Sequence, residues 1–530
     1  MANKNILLIE PGYRNKYPPL GLMKIAQYHG PEGKRDNVKF VKGEDKSVLD
    51  TCWDRIYVTT LFSFEWKKIS EAIDFAILAA GGQTNNVFVG GIAASLMHEA
   101  FVEQKRWQGI RFIAGLLKDA PAVSLQLNSF QEELYSDDTK GPPIEDAIPN
   151  YSILDQVEYK YPVWDAYFAY ASRGCVRKCS FCGVPKLEGD LYETPSLTTI
   201  VKGIEKLYGP KKDLVLMDNN VVASPRFQDI IAEIRDLGFT PGAKLKRGRA
   251  SVQRRVDFNQ GVDARILCKN TMYLKELATI CIEPLRIAFD HLGLRKPYET
   301  SIRYAHDAGL RHLSNYMLYN FHDTPRDLYE RMLLNIQLNE ELDIRIFSFP
   351  MRFQPTDIKE RSHIGKNWNK YYLRSMQIIL QATHGIVSGS PSYFKRAFGT
   401  NHAEFETLLI KPHKFIFNRA WFEEREGAAE LAEYEAEAAR FTDGDRADLL
   451  KTLTAFESNG RYESARATIS NTRVARLFRF YAPLSHEDEA AIWRKQKEFR
   501  SSMASEPVLV PDEQRVEDAG LELEAVLQNK

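Results

Sequence analysis

The sequence predicts an α/β protein in three parts: a Rossmann-like N-terminal domain, a partial (β/α)6 barrel of the TIM type, and an α-helical C-terminal domain. Three observations predict it. Short apolar runs alternate with helical patterns from Asn5 to Gly91, and the same alternation returns from about Tyr161 to Asp357. Beyond Asp357 only helical spacing remains. The boundaries this implies are 1–135 for the first domain, 136–160 for a linker, 161–360 for the barrel and 361–530 for the helical domain with its polar tail. A chain of 530 residues is long enough for several domains, each with its own core.

In the first domain, Asn5 to Ile9 is a short apolar run ended by Pro11-Gly12, as a buried parallel strand reads. Val38 to Val41 is a weaker second strand, and Arg55 to Thr60 a third, followed by a helical pattern through Ala80. Asn86 to Gly91 is a fourth, with its glycine pair where the strand gives way to a helix. Open α/β sheets bind ligands at such carboxyl-terminal strand edges. The polar, proline-bearing stretch Asp137 to Pro149 reads as linker.

In the second domain six strands are expected, at Ala166 to Ser172, Asp213 to Asp218, Val256 to Ile266, Arg286 to Asp290, Leu313 to Asn320 and Ile344 to Pro350. With helical patterns between them they match a partial barrel, whose site would lie at the carboxyl ends of the strands. Polar residues gather there: Asp218-Asn219-Asn220 after the second strand, Gln260, Asp263 and Arg265 along the third, then Asp290, His291, Asn320, His322, Arg352 and Gln354. Each of these last six reads as a solvated loop residue in preference to a site residue. Tyr371 to Thr383, Ala429 to Arg440, Arg446 to Ser458 and Thr472 to Phe480 have helical spacing. The stretch from Ser505, with Pro507 and Pro511, is polar and charged.

Composition excludes several classes. The chain is 44% apolar and 27% charged, which is globular rather than disordered. Lysine plus arginine equals aspartate plus glutamate at 71 each, so no global basic field is available to hold nucleic acid. Lys244-Leu245-Lys246-Arg247-Gly248-Arg249, with Arg254 and Arg255, is one concentrated basic patch. It reads as a solvated insertion or a clamp on neighbouring acids in preference to a nucleic-acid contact, because no aromatic residues interleave for stacking. Apolar runs such as Phe75 to Ala80 are far shorter than the roughly 20 residues that span a bilayer. Met1 to Ile9 lead straight into a strand-like run without a leader, so a cytoplasmic protein is expected.

The chemistry-bearing feature is the run Arg173-Gly174-Cys175-Val176-Arg177-Lys178-Cys179-Ser180-Phe181-Cys182. Three thiolates spaced Cys-x3-Cys-x2-Cys suit an iron–sulfur cubane, holding three irons and leaving the fourth open to another ligand. A zinc site would want four donors in a closed tetrahedron. No histidine lies between His98 and His291, and Cys268 and Cys281 are far off in sequence. A disulfide framework does not fit six cysteines in 530 residues.

Cys175-x3-Cys179-x-Phe181-Cys182 resembles the signature loop of the radical S-adenosylmethionine (radical SAM) superfamily. Tyr161 to Tyr167 and Ser172-Arg173-Gly174-Cys175 resemble members that carry a cobalamin-binding-type (B12-binding-like) domain in front. The resemblance implies a [4Fe-4S] cluster on Cys175, Cys179 and Cys182, with S-adenosylmethionine chelating its open iron. One electron then cleaves SAM to methionine and a 5′-deoxyadenosyl radical acting on an unknown substrate. It also implies a one-electron donor such as flavodoxin or ferredoxin. Phe181 corresponds to the position beside the SAM adenine, or is ordinary packing. Asp218, Asn219 and Asn220 stand where relatives present acceptors to the methionyl amine, although a helix cap or Asx turn uses the same residue types. Asp263 and Arg265 would share a face of their strand, either as an ion pair or with Arg265 bound to the SAM carboxylate.

Pro18-Pro19-Leu20-Gly21-Leu22 and Val89-Gly90-Gly91-Ile92 resemble the cobalamin-binding domain of the same enzymes. The Asp-x-His-x-x-Gly loop common there is missing, since Gln27 stands where His29 would need an aspartate. His98 reads as a helix-surface residue. Cobalamin could still bind without a protein ligand, so two alternatives stand beside radical chemistry. One is cobalamin-dependent methyl transfer, the other a non-catalytic iron–sulfur sensor or interaction protein.

Overall fold

The computed structural model describes residues 3–119, 144–383 and 385–503. The expected boundary at 135, the first part of the expected linker and the polar tail from Ser505 lie outside the described residues. By its internal contacts the chain divides into two units, one comprising Met1–Ala288, Lys296–Asn315 and Phe353–His363, the other Phe289–Arg295, Tyr316–Arg352 and Ile364–Lys530.

The first unit opens with a parallel sheet built from β1 (Asn5–Glu10), β2 (Asn37–Lys42), β3 (Arg55–Thr60), β4 (Val87–Gly91) and β5 (Arg111–Phe112), in the order β2-β1-β3-β4-β5. The two-residue β5 is a strand the sequence did not announce. Leu7, Ile9, Val41, Ile56, Val58, Val87 and Val89 share one buried cluster with Ile69 and Ile73 of the helix Trp66–Ala79. The helix Leu20–His29 packs on β1, β2 and β3. Both faces of the sheet are therefore covered, which is why β1 is apolar from Ile6 to Ile9. The order reverses between β1 and β3, where open sheets present their ligand crevice. Here that edge carries a buried ion pair, Lys42 Nζ to Glu10 Oε2 at 2.8 Å, with the Tyr161 hydroxyl donating to the same carboxylate.

Further along the same unit come β6 (Ala166–Ala169), β7 (Ser172–Arg173), β8 (Tyr192–Glu193), β9 (Asp213–Leu216), β10 (Lys244–Arg247), β11 (Ala250–Gln253) and β12 (Val256–Phe258). β12, β9 and β6 form a parallel sheet in that order. The helices Leu197–Tyr208 and Phe227–Asp236 lie between its strands, so the chain runs as successive βαβ units. β10 and β11 pair antiparallel into a ribbon within the basic patch. β13 (Leu285–Arg286) pairs parallel with the start of β14 (His312–Tyr319).

The third expected strand is corrected. It ends at Phe258, not Ile266, because Gly261 takes a left-handed φ of 80° and Asp263 caps a short helix, Ala264–Leu267. Gln260, Asp263 and Arg265 therefore do not alternate along a strand. Residues 144–160, expected as linker, bury Ile144, Tyr151 and Ile153.

In the second unit β15 (Arg345–Arg352) follows the helix Pro325–Leu342, whose start is a capping box between Thr324 and Asp327 with Pro325 in the first turn. Beyond it the unit is helical. Phe415, Phe422, Tyr434, Phe478, Phe480 and Tyr481 form an aromatic core with Tyr371. The four helices expected from spacing are present, as Lys370–Ala382, Ala428–Ala438, Asp443–Asn459 and Thr472–Phe478. No helix among the described residues is long and apolar enough to cross a membrane.

Candidate functional site

The three cysteines sit on a loop whose ends are stitched together. β7 and β8 pair antiparallel, Ser172 opposite Glu193 and Arg173 opposite Tyr192. Gly174 then turns the chain with φ 73°, and a Cβ there would meet the Asp190 carbonyl oxygen at 2.2 Å, so only glycine enters the loop this way. The Cys175 N–H donates to Gly189 O at 3.2 Å and the Cys182 N–H to Cys179 O at 3.1 Å. The loop leaves through a short helix, Val184–Leu187.

Glu188, just past that helix, holds the loop from below. Its carboxylate accepts from Arg173 Nε at 3.2 Å and Nη2 at 2.9 Å, from the Gly174 N–H at 2.8 Å and from Asn219 Nδ2 at 2.8 Å. The remaining arm of Arg173 reaches Glu145 Oε1 at 2.9 Å, which also takes Lys24 Nζ at 2.8 Å. Arg173 is 6% exposed and lies over the Tyr170 ring at 4.1 Å. A guanidinium so buried is stable only because both carboxylates neutralise it.

Asp218 is 2% exposed and ties β9 to the turn that feeds the loop. It accepts from the Ala171 N–H at 3.0 Å, the Ser172 N–H at 2.5 Å and Ser172 Oγ at 2.8 Å. Burial pushes its carboxyl up to about 6, against these hydrogen bonds, which favour the charged form. Both oxygens are thus occupied by the chain itself. Asn219 is turned to Glu188. Asn220 is different: its Nδ2 lies 3.9 Å from Cys175 Sγ, and its Oδ1 is buried with no hydrogen-bond partner among the described residues. An unpaired buried acceptor costs roughly 1–3 kcal/mol. Beside the cysteine loop, it marks a place for a donor from a ligand.

Asp263 joins the loop to the helix it caps. Its Oδ1 accepts from Arg265 N at 2.9 Å and Arg265 Nε at 2.7 Å, and its Oδ2 from Arg177 Nε at 2.7 Å. Burial raises its pKa, but the hydrogen bonds from Arg265 and Arg177 outweigh that and leave the carboxyl below its ordinary value. The Asp263–Arg265 pair, one of the two readings of these residues, is formed. Arg265 also reaches the Cys179 side chain.

The donor set, three thiols on one loop, is of the kind an iron–sulfur cluster takes. Cys175 Sγ accepts from the Arg177 N–H at 3.3 Å, and Cys182 Sγ from the Val184 N–H at 3.4 Å. Such N–H···S contacts stabilise sulfur that carries charge and tune cluster potentials. Among the described residues, no three His, Cys, Asp or Glu side chains converge to hold one metal ion. The other cysteines have settings of their own, and Cys52 is exposed. Burial pushes the Cys281 thiol up to about 11, and Cys268 Sγ donates to Arg265 O at 3.7 Å.

The two histidines weighed against cobalamin are placed differently. Both ring nitrogens of His29 are engaged, Nδ1 with Asp36 Oδ2 at 2.8 Å and Nε2 with the Tyr57 hydroxyl at 3.0 Å. His98 opens a short helix, His98–Val102, but it is not the surface residue expected: it is half-buried, and its Nδ1 is buried with no hydrogen-bond partner among the described residues.

The remaining expected site residues are placed as follows. Phe181 is half-buried beside Cys182, and Gln260 is exposed in the turn before Gly261. Gln354 Oε1 accepts from the His363 N–H at 3.3 Å. In the second unit the Asp290 carbonyl is held by Arg331, Asn320 has φ 67° with its Oδ1 on the Gly365 N–H, and His291 and His322 are exposed. Burial lowers the Arg352 pKa. Sequence reasoning missed Glu188, Arg177, Glu145 and Lys24. Glu188 alone had a local signal, as a carboxylate before Gly189 where the loop returns.

No family model matches the chain and no curated protein matches it. Solved structures similar to it include the radical S-adenosylmethionine methyltransferase TsrM from Kitasatospora setae, with cobalamin and a [4Fe-4S] cluster bound. It shares 14% identity over 68% of this chain and 74% of its own, with a TM-score of 0.46. A second is the apo, selenomethionine-labelled cobalamin-dependent S-adenosylmethionine radical enzyme OxsB, at 12% identity over 99% and 84%, TM-score 0.48. A third is Streptococcus suis SuiB bound to precursor peptide SuiA, at 13% identity over 60% and 63%, TM-score 0.28. At these scores the likeness carries no weight of its own, and the functional reading rests on the cysteine loop and the groups around it.

Proposed function

We propose that this chain is a radical SAM enzyme, with a [4Fe-4S] cluster held by Cys175, Cys179 and Cys182 in a partial (β/α)6 barrel. The observation that carries the reading is one juxtaposition. A loop spaced Cys-x3-Cys-x2-Cys offers sulfurs that accept N–H donors, and beside it Asn220 Oδ1 is buried without a partner. When bound, the cluster supplies one electron for reductive cleavage of S-adenosylmethionine.

The chain's own residues do the rest. Asn220 accepts from the methionyl ammonium, as an amide carbonyl can. Arg265 offers a planar fork to the methionyl carboxylate while Asp263 fixes its orientation. Phe181 packs against the adenine. Asp218, Asn219 and Glu188 act one step further out, as positioning residues, by fixing the loop backbone. A one-electron donor such as flavodoxin or ferredoxin is the implied partner. The substrate class is left open.

Iron and sulfide content after anaerobic reconstitution, with electron paramagnetic resonance before and after SAM is added, tests the reading. Four irons per chain and a SAM-dependent change in the reduced spectrum are expected. A folded protein that takes up no iron contradicts it.

A further inference from the structure

The basic patch has become a defined object. β10 and β11 form a two-stranded ribbon, with Lys244 opposite Gln253, Leu245 opposite Val252, Lys246 opposite Ser251 and Arg247 opposite Ala250. Residues directly across a ladder share a face. One face is therefore Lys244, Gln253, Lys246 and Ser251, all exposed, and the other carries the half-buried Leu245 and Val252. From Lys244 to Arg255 there are six cations and no carboxylate, in a chain whose charges balance overall.

The cations divide by what they already touch. Arg254 anchors the base of the ribbon, with its guanidinium 3.6 Å over the Phe239 ring and hydrogen-bonded to the carbonyls of Lys211, Lys212, Leu237 and Gly238. Arg247 pairs with Asp165 at 2.5 Å and Arg255 with Glu283 at 3.7 Å. Lys244, Lys246 and the tip residue Arg249 are exposed and have no ion-pair partner among the described residues. Both forms expected of the patch are present, a clamp on neighbouring acids at Arg247 and Arg255 and solvated cations at these three.

We propose that this ribbon docks on the phosphate backbone of a double-stranded nucleic acid. A ribbon of paired four-residue strands is about 13 Å long, with strands about 5 Å apart. That is the kind of element the major groove of B-form DNA, about 12 Å wide, admits. Lys244 and Lys246, two residues apart on one face, are separated by about 7 Å, a spacing suited to successive phosphates of one strand. Gln253 and Ser251 beside them add neutral donors that also contact sugar and phosphate. The ribbon carries no aromatic residue, so it cannot stack unpaired bases, which favours a duplex over a single strand. The anchoring by Arg254 means that little order has to be gained on binding.

Fluorescence anisotropy of the full chain with labelled DNA and RNA duplexes of about 20 base pairs, across a salt series, tests this. The comparison variant is Lys244→Gln/Lys246→Gln/Arg249→Gln, whose changes are all on exposed positions, with circular dichroism to confirm folding. Duplex binding by the wild type is expected, with an affinity at least about tenfold lower in the variant and a log–log salt slope reduced by about 2–3 units. The tighter of the two duplexes identifies the source of the phosphates. The proposal is overturned if neither duplex binds at low salt, or if the folded variant binds as the wild type does. It is equally overturned if poly-glutamate of matched charge competes as well as a duplex, which would make the ribbon a surface for acidic protein.

Discussion

Arg173 and Glu188 meet in a two-pronged ion pair at the root of the cysteine loop, with Nε and Nη2 of the arginine 3.2 and 2.9 Å from the two carboxylate oxygens. The same carboxylate carries the Gly174 N–H, the residue immediately before Cys175. Glu188→Ala leaves a buried guanidinium with Glu145 alone and strips a backbone donor of its acceptor. Urea denaturation of the iron-free protein is expected to show a loss of about 3 kcal/mol. A change under about 0.5 kcal/mol would mean the pair is not what holds the loop.

Asn220 separates cluster assembly from cofactor binding. Asn220→Ala removes the unpaired Oδ1 and the Nδ2 contact to Cys175 Sγ, but none of the three thiols. Iron content should match the wild type while SAM affinity, measured calorimetrically on reconstituted protein, falls about tenfold, as for loss of one charged hydrogen bond. Unchanged SAM affinity would remove Asn220 from the cofactor site.

Asp218 makes a pH prediction with a definite sign. Its carboxyl is pushed up to about 6 in the folded protein by burial, against roughly 3.9 when unfolded. The native state therefore holds the proton more tightly. The stabilisation this confers is complete below about pH 4 and is lost as the pH rises through about 6, amounting to about 3 kcal/mol. The stability difference between wild type and Asp218→Asn, read from urea midpoints at pH 4 and pH 7, should shift against the wild type as the pH rises. A difference independent of pH contradicts the burial argument.

Arg331 in the second unit is wholly buried and binds the carbonyls of Phe289, Asp290 and Leu318 together with Asp323 Oδ2 at 3.0 Å. A lysine has no planar fork to satisfy four acceptors at once. Arg331→Lys is expected to lower stability by about 3 kcal/mol or more, seen as a reduced urea midpoint. A midpoint equal to the wild type would show that a point charge suffices.

The cysteine loop was legible because its thiols are close in sequence, and β1 because a strand buried on both faces is apolar through its middle, Ile6 to Ile9. The third strand expected in the second domain was over-extended for a local reason. Apolar residues recur past Phe258, but Gly261 leaves the β region and Asp263 uses its side chain as a helix cap, which periodicity does not encode. Contacts set by the tertiary fold were out of reach. Lys24 and Glu145 pair across 121 positions, and Arg177 finds Asp263 across 86, with nothing in either neighbourhood to announce a partner. The basic patch was read as charge alone, since its alternation of Lys244, Leu245 and Lys246 was too short to stand out as a strand.

The central claim is that the cysteine loop carries out reductive cleavage of S-adenosylmethionine. The direct measurement is 5′-deoxyadenosine formed when anaerobically reconstituted protein is incubated with SAM and dithionite, beside Cys179→Ala treated identically. Formation by the wild type and none by the variant is the predicted result. A wild-type protein with a full cluster that forms no more than the Cys179→Ala variant would contradict the claim and return the loop to an electron-transfer or sensing role.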